Sequence, residues 1–227
     1  MKTQEEATEL ARWMVDIGKS SGKKMMAFIT DMNQPLGNAV GNALEVQEAM
    51  DVLKCEGPED ITELAIKLAG GMIYLGEQAQ SIEEGMKLAE DAVSEGKALN
   101  KFREFVRGQG GDDSIVDDYS LMAAAEYHVD VKAECDGFVS GLDALTLGLA
   151  SQHAGAGREK KEDDIDMAAG IMLRRKVGDT VAAGDVLCTV YVNDKDKTAK
   201  AADEALKAYT IGEGSGEKPE LIKNIIR

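Results

Sequence analysis

Ile29-Thr30-Asp31-Met32-Asn33-Gln34-Pro35-Leu36-Gly37-Asn38-Ala39-Val40-Gly41-Asn42-Ala43-Leu44-Glu45-Val46 is the stretch on which the reading of this chain turns. Lys23-Lys24 lead into it through Met25-Met26-Ala27-Phe28-Ile29-Thr30, a continuous apolar run of strand length, which predicts a strand covered on both faces as in a parallel sheet. Pro35, Leu36 and Gly37 form a loop. Ala43, Leu44, Val46, Met50, Val52 and Leu53 then recur at helical spacing as far as Gly57-Pro58, where Gly and Pro end the helix. Upstream, Thr3 with Glu6 is a capping-box pair, and Ala7, Leu10, Ala11, Met14 and Ile17 mark the apolar face of a helix ending near Gly18. Helix followed by strand is one step of an α/β winding.

Beyond Pro58 the helical texture continues. Ile61, Leu64, Ala65, Leu68 and Met72 keep the spacing, and Ser81-Ile82-Glu83-Glu84 opens a further helical pattern that runs through Leu88, Ala92, Leu99, Phe102, Phe105 and Val106. The cluster Gly108-Gln109-Gly110-Gly111-Asp112-Asp113 breaks it and is the candidate boundary between a mostly helical region, 1–110, and a second region, 111–227. In the second region short strands are expected at Val129 to Ala133, Gly137 to Val139, Met167 to Arg174, Val186 to Val192 and Leu221 to Ile226. Helices are expected from about Leu142 to His153 and from Asp196 to Ala208.

The 227 residues can form one large domain or two coupled ones. Carboxylates outnumber Lys and Arg by 42 to 26, a formal charge of -16, and such a surface repels phosphate backbones and anionic lipid, which excludes nucleic acid and membrane surfaces as expected partners. Cys55, Cys135 and Cys188 are odd in number and lack metal-ligand spacing, so free thiols in a reducing cytoplasm are expected. The N-terminus has no basic-then-apolar signal pattern, and no apolar run approaches the ~20 residues of a spanning helix, so the expected location is cytoplasmic.

Side chains suited to catalysis are sparse. His128 and His153 have no ligand or triad partner at recognisable spacing and read as surface or helix-capping residues. Gly155-Ala156-Gly157-Arg158 follows a helix rather than a strand and reads as a tight turn, not a phosphate loop. A Gly-rich loop entering a helix, as at Gly37 to Glu48, can turn backbone carbonyls inward, and Glu48 could add a carboxylate oxygen for a hard cation. Spacing alone, however, places Glu45 and Glu48 on the solvent side of their helix. Asp136-Gly137-Phe138-Val139 with Lys176-Val177-Gly178-Asp179 through Leu187 is similar to the paired turns of biotinyl and lipoyl carriers, but no lysine-bearing hairpin tip lies between them. A scaffold without a swinging arm is expected, and a non-catalytic carrier or scaffold module is the alternative reading of the whole chain.

The Thr30 to Val46 segment resembles the signature of pyrimidine nucleoside and thymidine phosphorylases. Met1-Lys2-Thr3 with its helix stands before it, and Gly155 to Arg158, Lys161, Asp163 to Asp166 and Lys176 to Asp179 stand after it, in family order. The resemblance covers nearly the whole chain. It implies an α/β protein: the later part of a parallel-sheet α/β lobe, followed by a C-terminal α+β barrel-sandwich-like domain. It also implies phosphorolysis of a pyrimidine nucleoside, with phosphate as co-substrate, to the free base and a pentose 1-phosphate, in a cleft between a helical lobe and the α/β lobe.

Such chemistry needs a donor-rich cradle for phosphate and groups that stabilise charge on the departing base. In the family these stand upstream of the position equivalent to Met1, so the resemblance assigns no catalytic and no substrate-binding residue here, and these residues alone are expected to be inactive. It does assign half of a potassium-type monovalent cation site: the carbonyls of Leu36 and Ala39 and the carboxylate of Glu48. The homodimer of the full-length family is not carried over to this fragment.

Overall fold

The computed structural model describes Met1 and residues 3–212 and 218–227; Lys2, named above in the opening block, lies outside the described residues. Helix α1, Gln4–Ser20, starts where Thr3 accepts a hydrogen bond from the Glu6 N–H at 3.2 Å, so the sequence-read cap is real. Its buried positions are Ala11 and Val15. Leu10, Met14 and Ile17, on the expected apolar face, are exposed, as is Trp13. The helix packs on β1 (Ala27–Thr30) and the last strand.

The expected parallel pairing of β1 is not what the described residues show. Its partner is the C-terminal strand Ile222–Ile226, antiparallel, with Ala27 opposite Ile226 and Thr30 opposite Ile222, and only Ile29 of the strand is buried. The chain then makes a two-residue strand that the sequence pattern does not predict, β2 (Ala39–Val40), and enters α2 (Asn42–Leu53). Helices α3 (Glu59–Leu75) and α4 (Ile82–Ser94) follow, and α4 is capped by Ser81, which accepts from the Glu84 N–H at 3.1 Å. These two helices meet backbone to backbone: a Cβ on Gly85 would lie 2.4 Å from the Gly70 carbonyl oxygen. The helical pattern expected to run unbroken from Ser81 is interrupted at Gly96, whose φ of 73° starts α5, Lys97–Gly108. The helix stops there, and Gly110 turns the chain with φ of 80°.

After two short 3-10 turns come β3 (Tyr127–Lys132), β4 (Gly137–Leu142), α6 (Ala144–Ser151, continued by a π turn at Gln152–Ala156), β5 (Gly170–Leu173), β6 (Thr180–Val181), β7 (Val186–Val192), α7 (Thr198–Lys207), β8 (Tyr209–Gly212) and the last strand, β9. The architecture is mixed α/β with antiparallel sheets: a four-stranded sheet ordered β2-β5-β7-β3, a three-stranded sheet ordered β6-β4-β8, and the β1-β9 pair. The core is formed by Val139, Leu147, Ile171, Leu187, Val190 and Val192 with the small faces Ala201 and Ala205 of α7, all fully buried. Two residues from far upstream, Ala39 and Val40, thus form an edge of the later sheet, opposite Met172 and Ile171. That approach requires glycine: a Cβ on Gly41 would meet the Ala169 carbonyl oxygen at 2.6 Å, and one on Gly170 the Val40 carbonyl oxygen at 2.7 Å. The Ser151 hydroxyl donates to that same Val40 carbonyl at 2.8 Å, so helix α6 is fastened to the loop that carries β2.

Candidate monovalent-cation site

The loop from Pro35 to Ala39 is held by hydrogen bonds to side chains from three other segments. Glu48, from the second turn of α2, is buried to 6% exposure and aims its carboxylate back at the loop, so the solvent-side position expected from spacing is overturned. Its Oε1 accepts from the Asn38 N–H at 2.7 Å and the Ala39 N–H at 3.1 Å. Oε2 packs on Gly37, where an added Cβ would be 2.1 Å away, and accepts from no described donor. Gly37 has φ of 69°, so both its conformation and the carboxylate require glycine. Glu45 is exposed, as expected, though its Oε1 accepts from the Gly41 N–H at 2.9 Å and caps the start of α2.

On the other side of the loop stands Lys176, from the turn between β5 and β6. Its ammonium donates to the Pro35 and Gly37 carbonyls, each at 2.8 Å, and to the Asp60 carboxylate at the start of α3. Asp60 in turn accepts from the Gly37 N–H at 3.1 Å. The Val177 N–H donates to the Gln34 side chain at 3.1 Å, and the Leu173 N–H to the Asn38 carbonyl at 2.7 Å. No N–H among the described residues donates to the Leu36 carbonyl. Because Asn38 bonds to Leu173, the neighbouring pair Ala39 and Met172 is a non-hydrogen-bonded one, and Ala39 turns its N–H and C=O away from β5. That N–H goes to Glu48, so the Ala39 carbonyl leaves the same edge.

Burial pushes the Glu48 carboxyl above the usual range, against the pull of the Asn38 and Ala39 N–H groups, and the charge of Asp60 adds to the rise. Burial also raises Asp60, but the Lys176 ammonium together with the Ile61 and Gly37 N–H groups holds that carboxyl below the usual range. Two carboxylates against one ammonium leave a formal charge of one negative unit within this hydrogen-bonded set. Among the described residues no three His, Cys, Asp or Glu side chains gather as a metal group. A carboxylate oxygen with no described donor and the main-chain carbonyls of the loop are the oxygen donor types that hard cations take.

The histidines stay outside this site. His128 lies against Tyr191 with ring centroids 4.5 Å apart and ring planes inclined at 50°. His153 lies at the end of α6, as expected, but it is half-buried with Nδ1 against the Glu204 carboxylate of α7, a contact that spacing along the sequence could not announce. Gly155 to Gly157 form the turn after α6, and Asn42 donates to the Ala156 carbonyl at 2.9 Å, so the segment is used for packing.

Two family profiles match the chain: a glycosyl transferase family a/b domain over residues 1–99 and a pyrimidine nucleoside phosphorylase C-terminal domain over residues 138–212. A pyrimidine-nucleoside phosphorylase of Bacillus subtilis (strain 168) is 52% identical over 229 residues, covering 100% of this chain and 52% of the relative. One from Staphylococcus epidermidis (strain ATCC 12228) is 47% identical over 230 residues with the same coverage, and one from Staphylococcus aureus (strain USA300) is 46% identical over 228. The chain belongs to the pyrimidine nucleoside phosphorylase family and spans about half the length of the curated relatives it matches. Among the described residues no helix is long and apolar enough to cross a membrane.

Proposed function

We propose that this chain is the C-terminal portion of a phosphorylase that splits pyrimidine nucleosides with phosphate into free base and pentose 1-phosphate, and that its contribution is the cation-bearing loop and the C-terminal domain behind it. The observation that carries this reading is Glu48, a buried carboxylate turned onto the loop whose Leu36 and Ala39 carbonyls complete the candidate ligand set. A potassium-type ion there would neutralise the carboxylate and fix the loop joining β1 to α2. Glu48 orients the Asn38 and Ala39 N–H groups, and Gly37 lets the carboxylate approach the main chain.

Phosphate and base require a donor-rich cradle, and none of these residues is assigned to one, so the 227-residue polypeptide by itself does not turn over nucleoside. The test is phosphorolysis of uridine and thymidine by the purified, mass-verified polypeptide, alone and mixed with the N-terminal half of the Bacillus subtilis relative. Turnover only in the mixture is the expected result. Turnover by the chain alone would overturn the second half of the proposal, and a folded, associated but inactive mixture would overturn the first.

A further inference from the structure

We infer that Lys176 is a positioning residue for the cation loop: its ammonium grips the Pro35 and Gly37 carbonyls and so leaves the intervening Leu36 carbonyl, with Ala39 and Glu48, for a monovalent ion. This rests on the cation reading above. Three oxygen acceptors meet at Lys176 Nζ, two of them main-chain carbonyls at 2.8 Å and the third a carboxylate that also receives the Gly37 N–H. The side chain is 17% exposed and Asp60 32%, so neither is a freely solvated surface charge. An ammonium is a compact point charge with three rotatable donors, and here all three have acceptors. The pair spans 116 residues of sequence and binds the turn after β5 to the start of α3 with the loop between them.

Without the ammonium, the Pro35 and Gly37 carbonyls lose their donor and Asp60 faces Glu48 uncompensated. The loop is then free to rotate these peptide groups, and the ordering of Leu36, Asn38 and Ala39 about Glu48 is lost. Groups that orient the ligands of a metal typically change its affinity by about 10- to 100-fold when removed. The ammonium itself does not become a ligand: as a like charge it excludes an ion from its own cluster of oxygen atoms and confines it to the Glu48 side.

The test uses the full 227-residue chain with thermal unfolding in KCl against choline chloride at equal ionic strength, and amide hydrogen exchange of Gly37, Asn38 and Ala39. In the unsubstituted chain KCl should raise the unfolding midpoint, and Glu48→Gln should abolish the rise. In Lys176→Met the half-saturating KCl concentration should increase on the order of tenfold, and the loop amides should exchange at least several-fold faster while those in the middle of α2 are unchanged. Asp60→Asn, which keeps the lysine, should move both readouts the same way by less, and it serves if Lys176→Met does not fold. Unaltered loop exchange together with unaltered half-saturation in either folded variant overturns the role of Lys176. Absence of any potassium response in the unsubstituted chain, or a response that survives Glu48→Gln, overturns the cation reading instead.

Discussion

Gly37 is where conformation and electrostatics coincide. Its φ of 69° disfavours a side chain, and a Cβ would stand 2.1 Å from the Glu48 carboxylate. Gly37→Ala should therefore lower the stability of the chain by about 1–3 kcal/mol in urea titrations. A midpoint equal to that of the parent would show that the carboxylate does not occupy the place described. The cysteines offer a second residue-scale check. Cys188 is fully buried, and burial pushes its thiol up to about 12, whereas Cys55 and Cys135 are exposed. A thiol-reactive dye at neutral pH should label Cys55 and Cys135 quickly in the native chain and Cys188 only after unfolding; fast labelling at Cys188 would contradict the packing around β7. At this scale the sequence was a partial guide. Spacing placed Glu48 in solvent because a helical carboxylate two turns from a loop has no visible reason to turn inward, and only the resemblance pointed it at Leu36 and Ala39. Lys176 and Asp60 were not legible as partners because their meeting depends on how distant elements fold together.

Among the elements, α3 and α4 depend on the Gly70 to Gly85 contact, which lets two helices approach at the backbone. Gly85→Ala should force them apart and cost about 1–3 kcal/mol. Gly108, at the last turn of α5 with open space around it, should accept alanine with little change or a gain of about 0.4–1 kcal/mol. Comparing thermal midpoints of the two variants separates close packing from a general dislike of substitution, and equal losses would contradict the contact. Helix starts at Thr3 and Ser81 could be read directly, since a capping box is a local signal. The break at Gly96 is not legible because apolar positions on both sides keep the same spacing. Strand β2 is not legible because its two residues, Ala39 and Val40, are too few to show alternation, and their pairing is decided by β5, a strand more than a hundred residues away.

Across the whole molecule, upstream and downstream segments are interleaved: β9 returns to pair with β1, β2 joins the later sheet, and Lys176 reaches back to Asp60. The α/β class was legible in the order of apolar runs. The antiparallel pairing of β1 was not, because a strand buried by its neighbours reads alike in either orientation. The loop from Asp31 to Gly41 lies at the crossing of these connections, which makes it the place where an ion could couple the later sheet to the helices before it.

The most direct measurement is a crystal of the full 227-residue chain grown with a thallium(I) salt, in which anomalous scattering marks a monovalent ion of potassium type. The account predicts a peak within bonding distance of the Glu48 carboxylate and the Leu36 and Ala39 carbonyls, with Lys176 still on Pro35, Gly37 and Asp60. A peak elsewhere with the loop unoccupied, or a Glu48 carboxylate turned away from the loop, would contradict it.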